Sequence, residues 1–271
     1  MKRGRRVGAL LLALSLSLSA CATTGRGRGT ATFPVDPQKA QALLDGLRES
    51  GAGRKALRGI ATLSFDGTAG SVRSRQVIVV EMPARLRIEV QGFLNQSLAV
   101  LVTDGERFEL FRAEDRSRRS GEVYPGLLYE VAQVDLTPAE GVALLLGLPP
   151  DPPGLLLASA AGLDDGGVRL ERVDTEGVLR QRIDFDVQGR LARVEAYEPG
   201  ERLLWSAEYR DYRDAENPGF AYAIGLWFPS SQTRVDLDFK HVEINPVLPD
   251  GVFTLPPLRG GTAAPRVGVA P

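Results

Sequence analysis

Few residues in this sequence could do bond-making chemistry. There is one histidine, His241, and one cysteine, Cys21, among 271 residues. A Ser-His-Asp or Cys-His constellation would have to be built on His241. That residue sits in a strand-like stretch beside an expected bulge, where a surface or half-buried histidine is the ordinary reading. Zinc-type sites need several Cys or His ligands, which the chain does not supply, so no metal is assigned. Asp164-Asp165-Gly166-Gly167 has the composition of a turn rather than a calcium loop. Asp184 and Asp186 read as the wet face of a strand. No glycine-rich phosphate loop followed by Lys-Ser or Lys-Thr occurs. The sequence therefore argues against an enzyme, and no cofactor is implied.

Cys21 is the exception, because its surroundings specify a modification. Lys2, Arg3, Arg5 and Arg6 precede an apolar run from Val7 to Leu18, and Leu18-Ser19-Ala20-Cys21 follows. A basic start, an apolar middle and small residues before a cut site make a secretory signal over residues 1–20. The run is too short and too serine-rich for a spanning helix, which needs about 20 apolar residues. Leu-Ser-Ala-Cys resembles the lipobox of bacterial lipoproteins. That resemblance implies cleavage before Cys21, a diacylglyceryl group on its sulfur and an acyl chain such as palmitate on the new amino terminus. The other reading is an ordinary cysteine beside an ordinary signal-peptidase site. At about 0.8 kcal/mol per buried methylene, several chains anchor a protein that one would hold only marginally.

Removing residues 1–20 takes four of the 33 basic residues and none of the 34 acidic ones. This leaves 29 against 34, a net charge of −5. A mildly acidic chain without a basic patch speaks against nucleic acid. Residues 21–34, rich in Gly and Thr, read as the lipidated cysteine and a flexible tether. Residues 259–271 read as a disordered tail, which leaves one domain over 35–258.

Within that domain, Asp36-Pro37 opens a helix with Ala40, Leu43, Leu44 and Leu47 on one face. From Leu57 the apolar period becomes two. Leu86, Ile88 and Val90 alternate with charged neighbours, and strands are expected over Ser97 to Thr103 and Arg107 to Arg112 around an Asp104-Gly105 turn. Leu127 to Val134 fits a short helix or a loop. Thr137-Pro138-Ala139-Glu140 is a capping box opening a second helix. The second half reads as strands, with a slip in parity near Lys240-His241. The sum is about ten antiparallel strands and two or three helices. A sheet that long curls, and its apolar inner face needs a plug.

In order along the chain, Leu57-Arg58-Gly59-Ile60-Ala61, Pro83-Ala84-Arg85-Leu86-Arg87, Leu98 through Gly105, Leu136-Thr137-Pro138 with Leu145 through Pro149, and Val252 through Pro257 resemble the LolA/LolB superfamily. They are most similar to an uncharacterised subgroup of LolB-like lipoproteins. The resemblance implies an unclosed antiparallel β-barrel plugged by helices, with an apolar cavity for acyl chains of lipoproteins or lipids. Cavity-lining residues are then expected at Phe65, Leu86, Ile88, Val90, Leu98, Val100, Ile183, Phe185, Leu203 and Trp205, with Leu43, Leu44 and Leu47 on a lid helix. LolB carries an apolar loop after its third strand that is used in lipoprotein insertion. The matching residues here are Phe93 and Leu94, which either touch lipid or fold back onto the core. The resemblance further implies a protein at the outer membrane, facing the periplasm, with a periplasmic carrier protein as a partner; Ala22 after Cys21 agrees with outer-membrane sorting. The alternative function is a scaffolding envelope lipoprotein whose cavity is filled by its own side chains.

Overall fold

The computed structural model describes residues 31–68, 70–213 and 217–256. The expected signal, Cys21 and the expected tail from 259 onward lie outside the described residues. The elements run β1 (Ala31–Pro34), α1 (Pro37–Gly53), β2 (Ala56–Gly67), β3 (Gly70–Glu81), β4 (Arg85–Gln91), β5 (Ser97–Thr103), β6 (Arg107–Arg112) and β7 (Ser117–Glu122). They continue with α2 (Leu127–Ala132), α3 (Pro138–Leu145), β8 (Leu156–Leu163), β9 (Val168–Val173), β10 (Leu179–Phe185), β11 (Leu191–Glu198), β12 (Arg202–Tyr212), β13 (Ala221–Phe228) and β14 (Thr233–Ile244).

All fourteen strands form one antiparallel sheet in the order β1-β8-β9-β10-β11-β12-β13-β14-β2-β3-β4-β5-β6-β7. It is two meanders, zipped where the last strand pairs with the first long one. That pairing runs from Arg234 opposite Asp66 to Ile244 opposite Leu57, with a bulge between Phe239 and His241. β1 and β7 end the sheet, so the barrel is not closed. β7 carries Arg118 and Arg119, charges of the kind that keep an open edge from pairing with another chain.

Local sequence accounts for the helices. The Asp36 carboxylate accepts from Gln38 N at 2.8 Å, with Pro37 in the first turn, and Ala40 and Leu44 are buried. At α3, Thr137 Oγ1 accepts from Glu140 N at 3.2 Å, while the Glu140 carboxylate accepts from Thr137 N at 2.8 Å. This reciprocal cap suits a helix buried nearly all round, with Val142, Leu144 and Leu146 inside the core. Gly147, at φ +71°, ends it in the left-handed conformation glycine tolerates.

The sheet has more strands than periodicity suggests, and each addition has a cause. β13 is buried on both faces, so Ala-Tyr-Ala-Ile-Gly-Leu-Trp-Phe does not alternate. β8 is Leu-Leu-Ala-Ser-Ala-Ala-Gly-Leu, whose small residues give no polar-apolar rhythm. Residues 31–34 of the expected tether are instead β1, paired with β8. Gly162 makes this fit, since a Cβ there would fall 2.1 Å from the Phe33 ring. Ala113 to Gly121, a charged stretch that fits a loop or an edge hairpin, leads into the edge strand β7, paired with β6.

Candidate functional site

The concave face of β2–β6 and β13–β14 encloses a hollow of about 950 Å³. Its wall is laid down in rungs by the sheet register. Ile224, Leu237, Leu63 and Ser74 make one rung, and Ile78, Ile88, Leu101 and Leu110 make another. Between these two levels lies Gln76, opposite Val90, which faces Ala99, which faces Arg112. Leu128 and Val131 of α2 and Leu144 and Leu145 of α3 close the far side.

A second hollow of about 780 Å³ lies across α3. Gly141, Leu144 and Leu145 face the larger space, and Ala139, Glu140 and Ala143 face the smaller one. Leu44 and Leu47 of α1 line the smaller hollow, and Leu43 is half-buried against the core. α1 therefore covers the half of the sheet away from the larger hollow, whose plug is α2 and α3.

Phe65, Leu86, Ile88, Val90 and Leu98 stand on the wall of the larger hollow. Val100 does not. Ser97 lies opposite Gln91 and Ala99 opposite Val90, so Leu98 is an extra residue and the parity slips. The inward row is Ala99 and Leu101, and Val100 points to the convex face on the rung of Glu89 and Phe111. Ile183 and Trp205 line the smaller hollow, whereas Phe185 is packed in the core and Leu203 is half-buried; neither lines the larger one. These four share the concave parity of β10 and β12 in sequence, but α3 divides that face.

The rim carries the expected apolar loop. Phe93 is 98% exposed and Leu94 79%, so neither folds back onto the core. Gly92 N donates to Gln96 O at 2.9 Å, and Asn95 adopts φ +58°. Leu94 N donates to the Gln96 side chain at 2.9 Å, and Arg75 holds Asn95 Oδ1 at 3.0 Å. These bonds fix the loop while leaving its two apolar side chains outside. Phe93 belongs to the mouth of the hollow, beside exposed Val72 and Leu98. Below the loop, burial would raise the Glu89 pKa, but hydrogen bonds from Ser97 and Arg87 outweigh it and hold the carboxyl below its ordinary value.

One wall residue has no sequence-based expectation attached to it. Gln76 is 3% exposed and faces the hollow; its Nε2 donates to Ser74 Oγ at 2.8 Å, and its Oε1 has no hydrogen-bond partner. The signal was present as a polar interruption, Ser74 and Gln76, of the inward row Val72-Ser74-Gln76-Ile78-Val80.

Of the acids considered for chemistry, Asp165, Asp184 and Asp186 are occupied. Asp184 takes two hydrogen bonds from Arg169, at 2.7 and 2.6 Å. Asp186 and Asp165 accept from backbone N–H groups in their turns. His241 is exposed, 3.3 Å from a Glu243 oxygen on the outer surface. Among the described residues no three His, Cys, Asp or Glu side chains come together as metal ligands.

An open antiparallel half-barrel, plugged by helices over an apolar hollow, is the LolA-like architecture. By sequence, the chain matches no protein-family model and no curated protein. Solved structures do match its fold. A LolA superfamily protein from Nitrosomonas europaea superposes with a TM-score of 0.55 at 14% identity, covering 80% of this chain and 97% of that one. A DUF1329 family protein from Desulfovibrio piger gives 0.58 at 12% identity, covering 82% and 98%. At these identities the likeness is one of fold.

Proposed function

We propose that this chain is a carrier or receptor of the bacterial envelope that takes acyl chains of lipoproteins or lipids into its larger hollow. On this reading, lipid on Cys21 holds it at the outer membrane, facing the periplasm, where it receives cargo from a periplasmic carrier protein. The observation that carries the proposal is the open apolar hollow itself. Its side chains line the wall and leave about 950 Å³ between them, which weighs against a scaffold that has filled its own core. At roughly 30 Å³ for each water-sized group, the space takes about 30 such groups, or two chains of about fifteen carbons. Each buried methylene contributes about 0.8 kcal/mol, so a dozen give about 10 kcal/mol before the costs of ordering.

The test is uptake of a fluorescent acyl probe by delipidated protein, with Ala99→Phe as the variant that fills the wall. The proposal expects saturable binding by the native protein and at least tenfold weaker binding by A99F. No uptake by a folded native protein would contradict it.

A further inference from the structure

We infer that the smaller hollow is a second ligand site, and that it takes a single-chain amphiphile with an anionic head, as in a fatty acid or a lysophospholipid. The site lies across α3 from the larger hollow and is independent of what that space binds.

The smaller hollow has a fastened outer wall, the connector between α3 and β8. Arg172, with its side chain 6% exposed, pairs with Asp151 and donates to Gln181 Oε1 at 2.9 Å. Gln181 Nε2 in turn donates to the Pro150 carbonyl at 2.7 Å. These bonds tie Pro150 and Asp151 to β9 and β10. Inside that wall, Leu47, Met82, Leu155, Ala196 and Leu204 line the hollow while only half-buried, so apolar surface is presented to what enters. About 780 Å³ is room for about 25 water-sized groups, more than a chain of about twelve carbons and its head occupy.

Charge sets the head. The charged side chains around the space are Arg48, Lys55, Glu140, Asp151, Arg172 and Arg180. Both acids are taken, Asp151 by Arg172 and Glu140 by the amide and hydroxyl of Thr137, at 2.8 Å each. Arg48 pairs with Asp45. Lys55 and Arg180 have no ion-pair partner among the described residues. Alternation from Gln181 and Ile183 would point Arg180 outward, but the register slips between Leu179 and Gln181 and Arg180 lines the hollow. Two uncompensated cations beside apolar surface complement an anion at the end of an apolar chain. The guanidinium fork of Arg180 matches a carboxylate or a phosphate.

Tryptophan fluorescence reads this site. The chain has two tryptophans; Trp205 lines the smaller hollow, and Trp227 is exposed on the rung of Arg234. In Trp227→Phe protein, Trp205 is the sole reporter, and bromine on a bound chain quenches it at short range. The experiment titrates that protein with 12-bromododecanoate, 12-bromododecyl phosphate and 12-bromododecanol. Saturable quenching is expected, with at least one anion binding about tenfold more tightly than the alcohol. The two anions separate a carboxylate head from a phosphate head, and added salt should narrow the gap to the alcohol. Lys55→Gln with Arg180→Gln should bring the anions down to the alcohol's affinity. Ala196→Phe, which fills the hollow opposite Trp205, should abolish the quenching, with the fold checked by circular dichroism. Any of four results overturns the inference: no saturable quenching in folded protein, equal affinity for all three ligands, an anion preference that survives the loss of both cations, or quenching that survives A196F. Uptake of the acyl probe tests the larger hollow by itself, so the two readings fail separately.

Discussion

Arg54 holds the end of α3 in place through Leu146. Its Nη1 donates to the Leu146 carbonyl at 3.1 Å, and its Nη2 reaches the Gly219 carbonyl at 2.8 Å. Leu146 caps a helix whose Leu144 and Leu145 line the larger hollow. A positive charge at a helix C-terminus also complements the helix dipole. Burial lowers the Arg54 pKa, because desolvation disfavours its charge. Arg54→Met keeps the apolar stem and removes the donor to the Leu146, Gly147 and Gly219 carbonyls. The expected loss is about 2–3 kcal/mol in urea unfolding. Arg54→Lys should recover only part of it, because a single ammonium does not reproduce the two-pronged geometry. Native stability in R54M would show that the bonds are incidental.

The exposed loop should matter for transfer and not for folding. Phe93→Ser with Leu94→Ser removes two side chains that touch little protein, so stability should stay within about 0.5 kcal/mol. Delivery of a bound acyl probe from the protein to phospholipid vesicles should slow several-fold. Unchanged transfer would mean that these side chains do not meet lipid.

Acid should weaken the fold through its paired carboxylates. For Glu171, burial alone would raise the pKa, but hydrogen bonds from Arg182 and Ser159 outweigh it and hold it low. Asp236 is depressed in the same way by Arg234 and Arg210 against the cost of burial. As pH falls, the unfolded chain binds protons first. The stabilisation is present above the ordinary carboxylate range, near pH 4, and is lost as pH drops through the folded values. The thermal midpoint should be level from about pH 7 to 5 and fall below about 4. The double variant Glu171→Gln, Asp236→Asn should be less stable at neutral pH and show a shallower acid limb. A limb of unchanged steepness would assign the acid sensitivity elsewhere.

Much of this architecture was readable where local chemistry decides it. Asp36-Pro37 and Thr137-Pro138-Ala139-Glu140 announce their helices, and the alternation of Leu86, Ile88 and Val90 places one wall of the hollow. The parity slip near His241 is the bulge found between Phe239 and His241. What stayed hidden was set by distant partners. Whether β13 is a strand depends on cover for both of its faces, and β1 depends on the space left at Gly162. Val100 faces outward because of one extra residue, Leu98. Ile183 and Trp205 share the concave parity but lie across α3 from the main hollow, a division that no periodicity encodes. Gln76 was visible as a polar residue on an apolar row, but its unpaired oxygen appears only once the row is folded.

The most direct measurement is native mass spectrometry of the Cys21→Ser protein, in which no acyl group proposed for Cys21 can be mistaken for bound ligand. The account predicts a population carrying bound acyl-chain ligand, displaced by added fatty acid and depleted in A99F. Protein that emerges bare, and stays bare after incubation with excess acyl lipid, would contradict it.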